Sequence, residues 1–456
     1  MSEGRRTRSQ AKAEQKDAKK TSWGEGGLFG SREFGALSLI ILCPLFLLLM
    51  WYIMAVHKGD VYKFYKQIER LGFQHWFGKE FYPKVNPWNP EAWKMIAGFS
   101  IFELLLQRFV PGKTFEANAT VNGHKPKYVE NGVPSYFISI ATLFYLKYSG
   151  YYNPGRVYDM MGHLLGSINV FAIFFCALLT VKGLTYPSTK EAGSNGSFVM
   201  DYFWGTELYP NILGWDVKQF TNCRFGMMFW QIGILCYMIH QYDQYKYVDS
   251  AMLISVIVQS VYIFKFFLWE TGYFNSMDIQ HDRAGYYICY GCLCWVPSIY
   301  TFHTFWLTMN PLHLSEITTF IYTTLGVLFV WINYDCDKQR FEFRRDKGEK
   351  KIWGEDPDYI EAKYQTEDGE KRVNLLLCSG WWGMSRHIHY VPEILASIMW
   401  CVPAHNTTLQ YFYPFYLTLL LLDRAYRDDA RCAAKYGKYW DEYCEKVPYK
   451  IIPGII

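Results

Sequence analysis

Four stretches of this chain gather ionisable and aromatic side chains at spacings that could do chemistry. The first, WETGYFNSMDIQHDRAGYY, packs Glu270, Asp278, His281, Asp282 and Arg283 among Trp and Tyr rings. Carboxylates and a histidine in apolar surroundings are the groups that move protons. A loop at a membrane surface is the competing reading. The second stretch runs from Lys338 to Arg345. On a helix Arg340 and Arg344 are four apart and share a face, and two guanidinium groups on one face form a fork for phosphate. The plainer reading is a run of positive charge that ends a spanning helix. In the third stretch, LLLCSGWWGMSRHIHYVPE, the spacing of Arg386, His389 and Tyr390 puts all three on one face of an expected helix. Trp381 and Trp382 offer stacking surfaces, and Gly380 and Gly383 allow close backbone approach. No GxGxxG motif is present, so a Rossmann site is absent. Rings, glycines and guanidinium groups suit a nucleotide with several phosphates, although an aromatic belt with snorkelled arginine would use the same residues. In the fourth stretch Arg427 and Arg431 share a helix face, as do Asp428, Cys432 and Lys435. A carboxylate there could take ribose hydroxyls while cations hold phosphate. The alternative is a solvated helix attracted to anionic lipid.

Something must position these clusters, and composition says what. The chain has 456 residues with 17 Trp, 37 Tyr and 33 Phe, so aromatic residues make up 19%. Charged residues are also 19%, below the roughly 25% of soluble domains. A net charge of +4 argues against a nucleic-acid partner. A membrane-spanning helix needs about 20 apolar residues, and residues 36–56 meet that without a charge. They lie behind a basic tail and lack a small-residue cleavage site, which points to a first span rather than a cleaved signal. Further spans are expected at 93–110, 133–150, 164–184, 225–240, 250–270, 286–308, 315–334, 391–404 and 407–422. The expected fold is therefore all-α and polytopic, with about ten transmembrane helices and a C-terminal, cytosol-facing cofactor pocket. Residues 1–34 read as a disordered basic cytosolic tail, 35–456 as one membrane domain, and about 335–456 as its cofactor half.

Orientation follows from lysine and arginine near the span ends. The tail (Arg5 through Lys20), the segment after the eighth span (Lys338 through Lys351) and the C-terminal segment (Arg424 through Lys438) are all basic, which places both termini in the cytosol. Glu103 and Gln107 lie one helical turn apart within the second span, where an ionisable group is costly and needs a partner. The twelve cysteines form no CxxC pair, so neither a disulfide framework nor a metal site is expected. Sequons at Asn118, Asn195 and Asn406 are expected to stay unused, the first two facing the cytosol and the third in too short a loop.

The third and fourth stretches, with FTNCRFGMM (220–228), MDIQHDRAGYYICYGCLCWVPS (277–298) and YDCDKQRFEFRR (334–345), closely resemble the sterol reductases. That family includes sterol Δ14-, Δ24(28)- and Δ7-reductases and the lamin B receptor. The likeness extends from about Gly35 to the C-terminus and is strongest to the plant-type Δ7 branch. It implies an endoplasmic-reticulum membrane enzyme that uses NADPH to saturate a ring double bond of a sterol drawn from the bilayer. Membrane lipids are implied as partners, with room for association with other sterol-biosynthesis enzymes. Carried over position by position, the family's cofactor contacts fall on Arg340, Arg344, Leu377, Trp382, His389, Tyr390, Asp428, Cys432, Ala433, Ala434, Lys435, Tyr436 and Tyr443, and Arg386 sits in the same motif. Arg340 stands where animal relatives carry Lys, and His389 where they carry Asn. GTELYPN (205–211) lacks the arginine that closes the family's version of that motif.

An alkene is a poor hydride acceptor until a proton makes its carbon cationic, so such an enzyme needs an acid. Candidates are Glu270, Asp278, His281, Asp282 and Tyr390, and the sequence does not choose among them. Paired arginines suit the 2′-phosphate that distinguishes NADPH from NADH. Three other readings are weighed. One is the sister Δ14 activity. Another is a lamin B receptor-like tether, disfavoured because only about 34 residues precede the first span. The last is a methyltransferase of the isoprenylcysteine type, disfavoured by the paired arginines.

Overall fold

In this computed structural model, residues 32–117, 120, 124–365 and 371–456 are described. The expected tail thus lies outside the described residues up to residue 31, and Arg32–Phe34 already belong to a helix. The sequon at Asn118 also lies outside them.

The chain is mostly helical. Helix α1 (Arg32–His57) is an apolar rod with Glu33 in its first turn. Asp60 caps α2 (Val61–Leu71) by accepting from the Lys63 backbone N–H at 2.9 Å. Helix α3 (Pro90–Phe109) starts on Asn89, which accepts from Glu91 and Ala92, with Pro90 at the first helical position. A short hairpin of β1 (Lys113–Glu116) and β2 (Lys127–Glu130) leads into α4 (Gly132–Ser149), which stops where Gly150 turns left-handed at φ 76°. Then come α5 (Arg156–Thr185), α6 (Met228–Tyr245), α7 (Ser250–Leu268), α8 (Phe302–Thr308) and α9 (Glu316–Arg345). Wide helical turns at Gln219–Met227 and Tyr286–Trp295 interrupt this series, a distortion frequent at functional positions. Strands β3 (Tyr359–Gln365) and β4 (Lys371–Leu377) pair antiparallel in register Tyr359↔Leu377. Helices α10 (Tyr390–Cys401), α11 (Phe412–Tyr436) and α12 (Lys438–Lys446) complete the chain.

The chain divides into two compact units. The larger comprises 36–324 and 399–413, the smaller 325–398 and 414–456 with the described residues 32–35. One boundary between them falls inside α9.

The fold is mostly helical as expected, and among the described residues it also has three short two-stranded antiparallel sheets. The β3–β4 hairpin arises because YIEAKYQ alternates, with Ile360 and Ala362 buried between exposed neighbours. Of the ten expected spans, four described helices are long and apolar enough to cross a bilayer: α1, α5, α7 and α9. The others are broken or carry polar groups. The 286–308 span divides into Tyr286–Trp295, Val296–Ile299 and α8. Helix α3 carries buried Glu103, on which the Ser139 hydroxyl donates at 2.7 Å, and buried Gln107, which donates to Gln219 at 3.1 Å.

Candidate functional site

In the smaller unit most of the expected cofactor residues converge. Helix α9 presents Arg340 on the turn above Cys336. The Trp382 indole donates to the Cys336 carbonyl at 2.8 Å, which fixes the ring. The Arg340 guanidinium then lies 3.7 Å from the Trp382 ring centroid, a cation–π contact. Trp382 packs on His389 (5.1 Å between centroids), His389 on Tyr390 (4.3 Å), and Tyr390 on His387 (5.1 Å, planes 8° apart). His387 Nε2 reaches Asp428 on α11 at 3.9 Å. Arg340, Trp382, His389, Tyr390, His387 and Asp428 therefore form one continuous row of contacts drawn from α9, the 381–390 segment and α11.

The turn carrying the tryptophans is tied to α9. The Trp381 backbone N–H and indole donate to Gln339 (2.9 Å) and Asp335 (2.8 Å). Gly380 is required here. Its φ is 63°, and a β-carbon would come 2.4 Å from the Gln339 oxygen. Leu377 packs with Phe343, Ile352 and Trp382. Arg344 is exposed one turn beyond Arg340 and donates to the Leu375 carbonyl at 3.3 Å. On α11, Cys432 follows Asp428 with its thiol 3.9 Å from that carboxylate. Ala433, Ala434 and Lys435 are exposed, and the Lys435 ammonium lies 4.4 Å above the Tyr364 ring. Tyr436 and Tyr443 are buried in a cluster with Ile360, Leu376 and Trp440, and the Tyr443 hydroxyl donates to the Trp382 carbonyl at 3.4 Å.

Three expectations about this cluster are corrected. Residues 386–389 are turn rather than helix, and α10 begins only at Tyr390. The shared helix face of Arg386, His389 and Tyr390 therefore does not exist, and backbone turning brings His389 and Tyr390 together instead. Arg386 is buried and committed elsewhere. It donates to the carbonyls of Val447 (2.8 Å) and Pro448 (3.0 Å) and pairs with Asp429 at 3.2 Å. Its backbone N–H donates to Tyr449 at 3.0 Å. Arg386 ties the last segment of the chain to this unit. Arg427 and Arg431 do not act as a pair, because Arg427 engages Asp423 (2.9 Å) and Arg431 engages Asp428.

His387 is the site residue that spacing missed. It stands between the expected Arg386 and His389, and its signal is the HIH repeat itself. Burial pushes its imidazole down to about 4, against the pull of Asp428, so it is neutral at neutral pH. Burial also works against charge on Asp428, but Arg431 and His387 hold that carboxyl below the usual carboxylate range.

Of the five expected proton donors, Tyr390 stands in this row. The other four belong to the larger unit. Glu270 is fully buried in an ion pair with Arg224, at 2.5 and 3.1 Å, and also accepts from the Gly132 backbone N–H at 3.1 Å. Arg224 donates as well to Asn131 at 2.7 Å. Both Glu270 oxygens thus accept from donors, and the Arg224 guanidinium balances the carboxylate charge. The composition of its own stretch did not reveal Arg224, which comes from 46 residues earlier. Asp278 and Asp282 are buried and His281 is exposed. The carbonyls of Ile279 and Asp282 accept from the buried Lys218 ammonium at 2.7 and 2.6 Å, which fixes this loop.

Comparison with known proteins gives the chain its relatives. The model of the ergosterol biosynthesis ERG4/ERG24 family matches residues 27–456. The chain is 46% identical over 424 residues to a 7-dehydrocholesterol reductase of Arabidopsis thaliana, covering 92% of this chain and 96% of the relative. It is 33% identical over 360 residues to a 7-dehydrocholesterol reductase of Xenopus laevis, covering 77% and 76%. A Delta(14)-sterol reductase of Methylotuvimicrobium alcaliphilum is 31% identical over 423 residues, covering 92% and 95%.

Proposed function

The chain belongs to the ergosterol biosynthesis ERG4/ERG24 family, and on that premise we propose that it is an NADPH-dependent sterol reductase that saturates the C7–C8 double bond of 7-dehydrocholesterol-type sterols. The 46% identity to the Arabidopsis 7-dehydrocholesterol reductase, against 31% to the Δ14-reductase above, supports the Δ7 assignment. We place the enzyme in the endoplasmic-reticulum membrane with both termini cytosolic. The shorter and interrupted helices would join α1, α5, α7 and α9 to make about ten spans.

The observation that carries the cofactor assignment is the contact row from Arg340 to Asp428. Its chemistry fits a phosphorylated dinucleotide. A guanidinium is held over an indole, a second is exposed one turn away, and the small side chains of Ala433 and Ala434 leave α11 open. NADPH would be held by Arg340, Arg344, Leu377, Trp382, His389, Tyr390, Asp428, the run Cys432 to Tyr436, and Tyr443. When bound it supplies the hydride.

The chain's own residues do the rest. Arg340 and Arg344 take phosphate, the paired-guanidinium preference that selects the 2′-phosphate. Trp382 and His389 orient aromatic surface against the ligand. Tyr390 is the donor we assign as general acid, since it stands in the row while Glu270 is consumed by Arg224. His387, neutral and stacked on Tyr390, keeps the phenol in place. The sterol is apolar and enters from the bilayer, so its contacts are with apolar helix surfaces.

The deciding experiment expresses this chain in a host that lacks Δ7-reduction and profiles its sterols. Loss of the conjugated-diene absorbance of 7-dehydrocholesterol, with NADPH and not NADH, is the expected result. Turnover of a Δ14-diene in its place would assign the sister activity.

A further inference from the structure

A second site lies in the larger unit. The end of α1, the start of α2 and the segment before α9 enclose an open cavity of about 500 Å3. Lys58 and Lys63 supply its positive charge, Asp60 its negative charge, and Trp306, Met309 and Leu312 its apolar wall. The Asp60 carboxylate is already used. It accepts from the Lys63 backbone N–H at 2.9 Å and pairs with the Lys63 ammonium at 3.3 Å. Lys58 has no acidic partner among the described residues.

The turn that holds Lys58 is tightly built. Its φ is 55°, a left-handed conformation rare outside glycine. The next residue, Gly59, packs so closely that a β-carbon would come 2.3 Å from the Thr407 hydroxyl. The Trp306 indole donates to the Lys58 carbonyl at 2.8 Å. A free ammonium on a pinned turn is a preorganised anion contact.

Position says which anion. One spanning helix ends at His57 and another starts at Glu316, so the cavity lies at headgroup level. Beside it α2 buries no residue. Tyr62 and Tyr65 are 68% and 57% exposed, and the Lys66 ammonium lies 5.8 and 5.9 Å from their rings. An amphipathic helix of this kind lies in the membrane interface. We propose that this cavity is a binding site for the phosphate headgroup of an anionic phospholipid, with Lys58 as its principal contact and Trp306, Met309 and Leu312 against the first acyl carbons.

The test uses the full chain in detergent, with the thermal midpoint and native mass spectrometry as readouts. The probes are dihexanoyl phosphatidylglycerol, dihexanoyl phosphatidylcholine and inorganic phosphate at equal concentration. The phosphatidylglycerol should bind and stabilise, and the other two should not. Lys58→Asn, which tolerates the left-handed turn, should weaken that binding about five-fold, the loss of about 1 kcal/mol of one exposed ion pair. Lys58→Arg should restore it. Sterol reduction by both variants should be unchanged. Equal stabilisation by inorganic phosphate, or undiminished binding by Lys58→Asn, overturns the proposal.

Discussion

Arg340 and Trp382 form a rigid pair: the guanidinium lies 3.7 Å from the ring centroid, and the indole is fixed through its own bond to Cys336. The pairing holds one cation in place before any ligand arrives. Trp382→Ala should free Arg340 and weaken NADPH binding by about ten-fold, within the range of a partly desolvated cation–π contact. Arg340→Leu should weaken NADPH more than NADH. Titration calorimetry on the purified protein measures both.

Arg386 holds the chain's last segment, so its loss is a stability lesion. Arg386→Ala leaves the Val447 and Pro448 carbonyls without their donor and Asp429 with Lys450 as its remaining cation. The expected cost is about 3 kcal/mol. The thermal midpoint should fall while NADPH affinity of the folded fraction stays within about two-fold. A ten-fold loss of affinity at unchanged midpoint would return Arg386 to the cofactor.

Arg224 and Glu270 are both wholly buried. Removing either partner strands a charge, at a cost of about 3–5 kcal/mol. Glu270→Gln and Arg224→Met should each express poorly and melt early. An apolar double replacement at these two positions should recover part of the loss. A Glu270→Gln protein that is stable yet inactive would instead make Glu270 the acid.

His387 gives the smaller unit a pH dependence. Its imidazole titrates near 4 when folded and near 6.5 when unfolded. Between those values the unfolded chain binds more protons, so stability rises with pH and is lost as pH falls from 6.5 towards 4. The full span is worth about 3 kcal/mol. Asp428, held low, loses its contribution in the same direction at still lower pH. Thermal midpoints at pH 7 and pH 5 should differ, and His387→Gln should shrink the difference.

Tyr390→Phe keeps the ring contacts to His387 and His389 and removes only the hydroxyl. If the phenol delivers the proton, kcat should fall about 100-fold or more while the Kd for NADPH changes little. Single-turnover kinetics separates the two quantities. An unchanged kcat would move the acid to the larger unit.

Much of this was readable in the chain. Apolar runs announced the four helices long and apolar enough to cross a bilayer, because the period and length of such runs are local properties. The placing of Arg340 and Arg344 one turn apart followed from helix spacing, since both lie inside one continuous helix. Reading failed where the backbone left regular structure. Arg386 and His389 share a face only on a continuous helix, and the turn at 386–389 redirects both.

Residue types and short-range spacing thus determined that this is a helical membrane protein, and that basic and aromatic side chains concentrate near its C-terminus. Tertiary structure alone decided the partners. Glu270 went to an arginine 46 residues away, Arg386 to carbonyls 61 and 62 residues away, and His387 into the row beside Tyr390. A side chain's spacing along a helix is set by covalent geometry, but the group it meets across a buried contact is set by which elements pack together, and no local pattern records that.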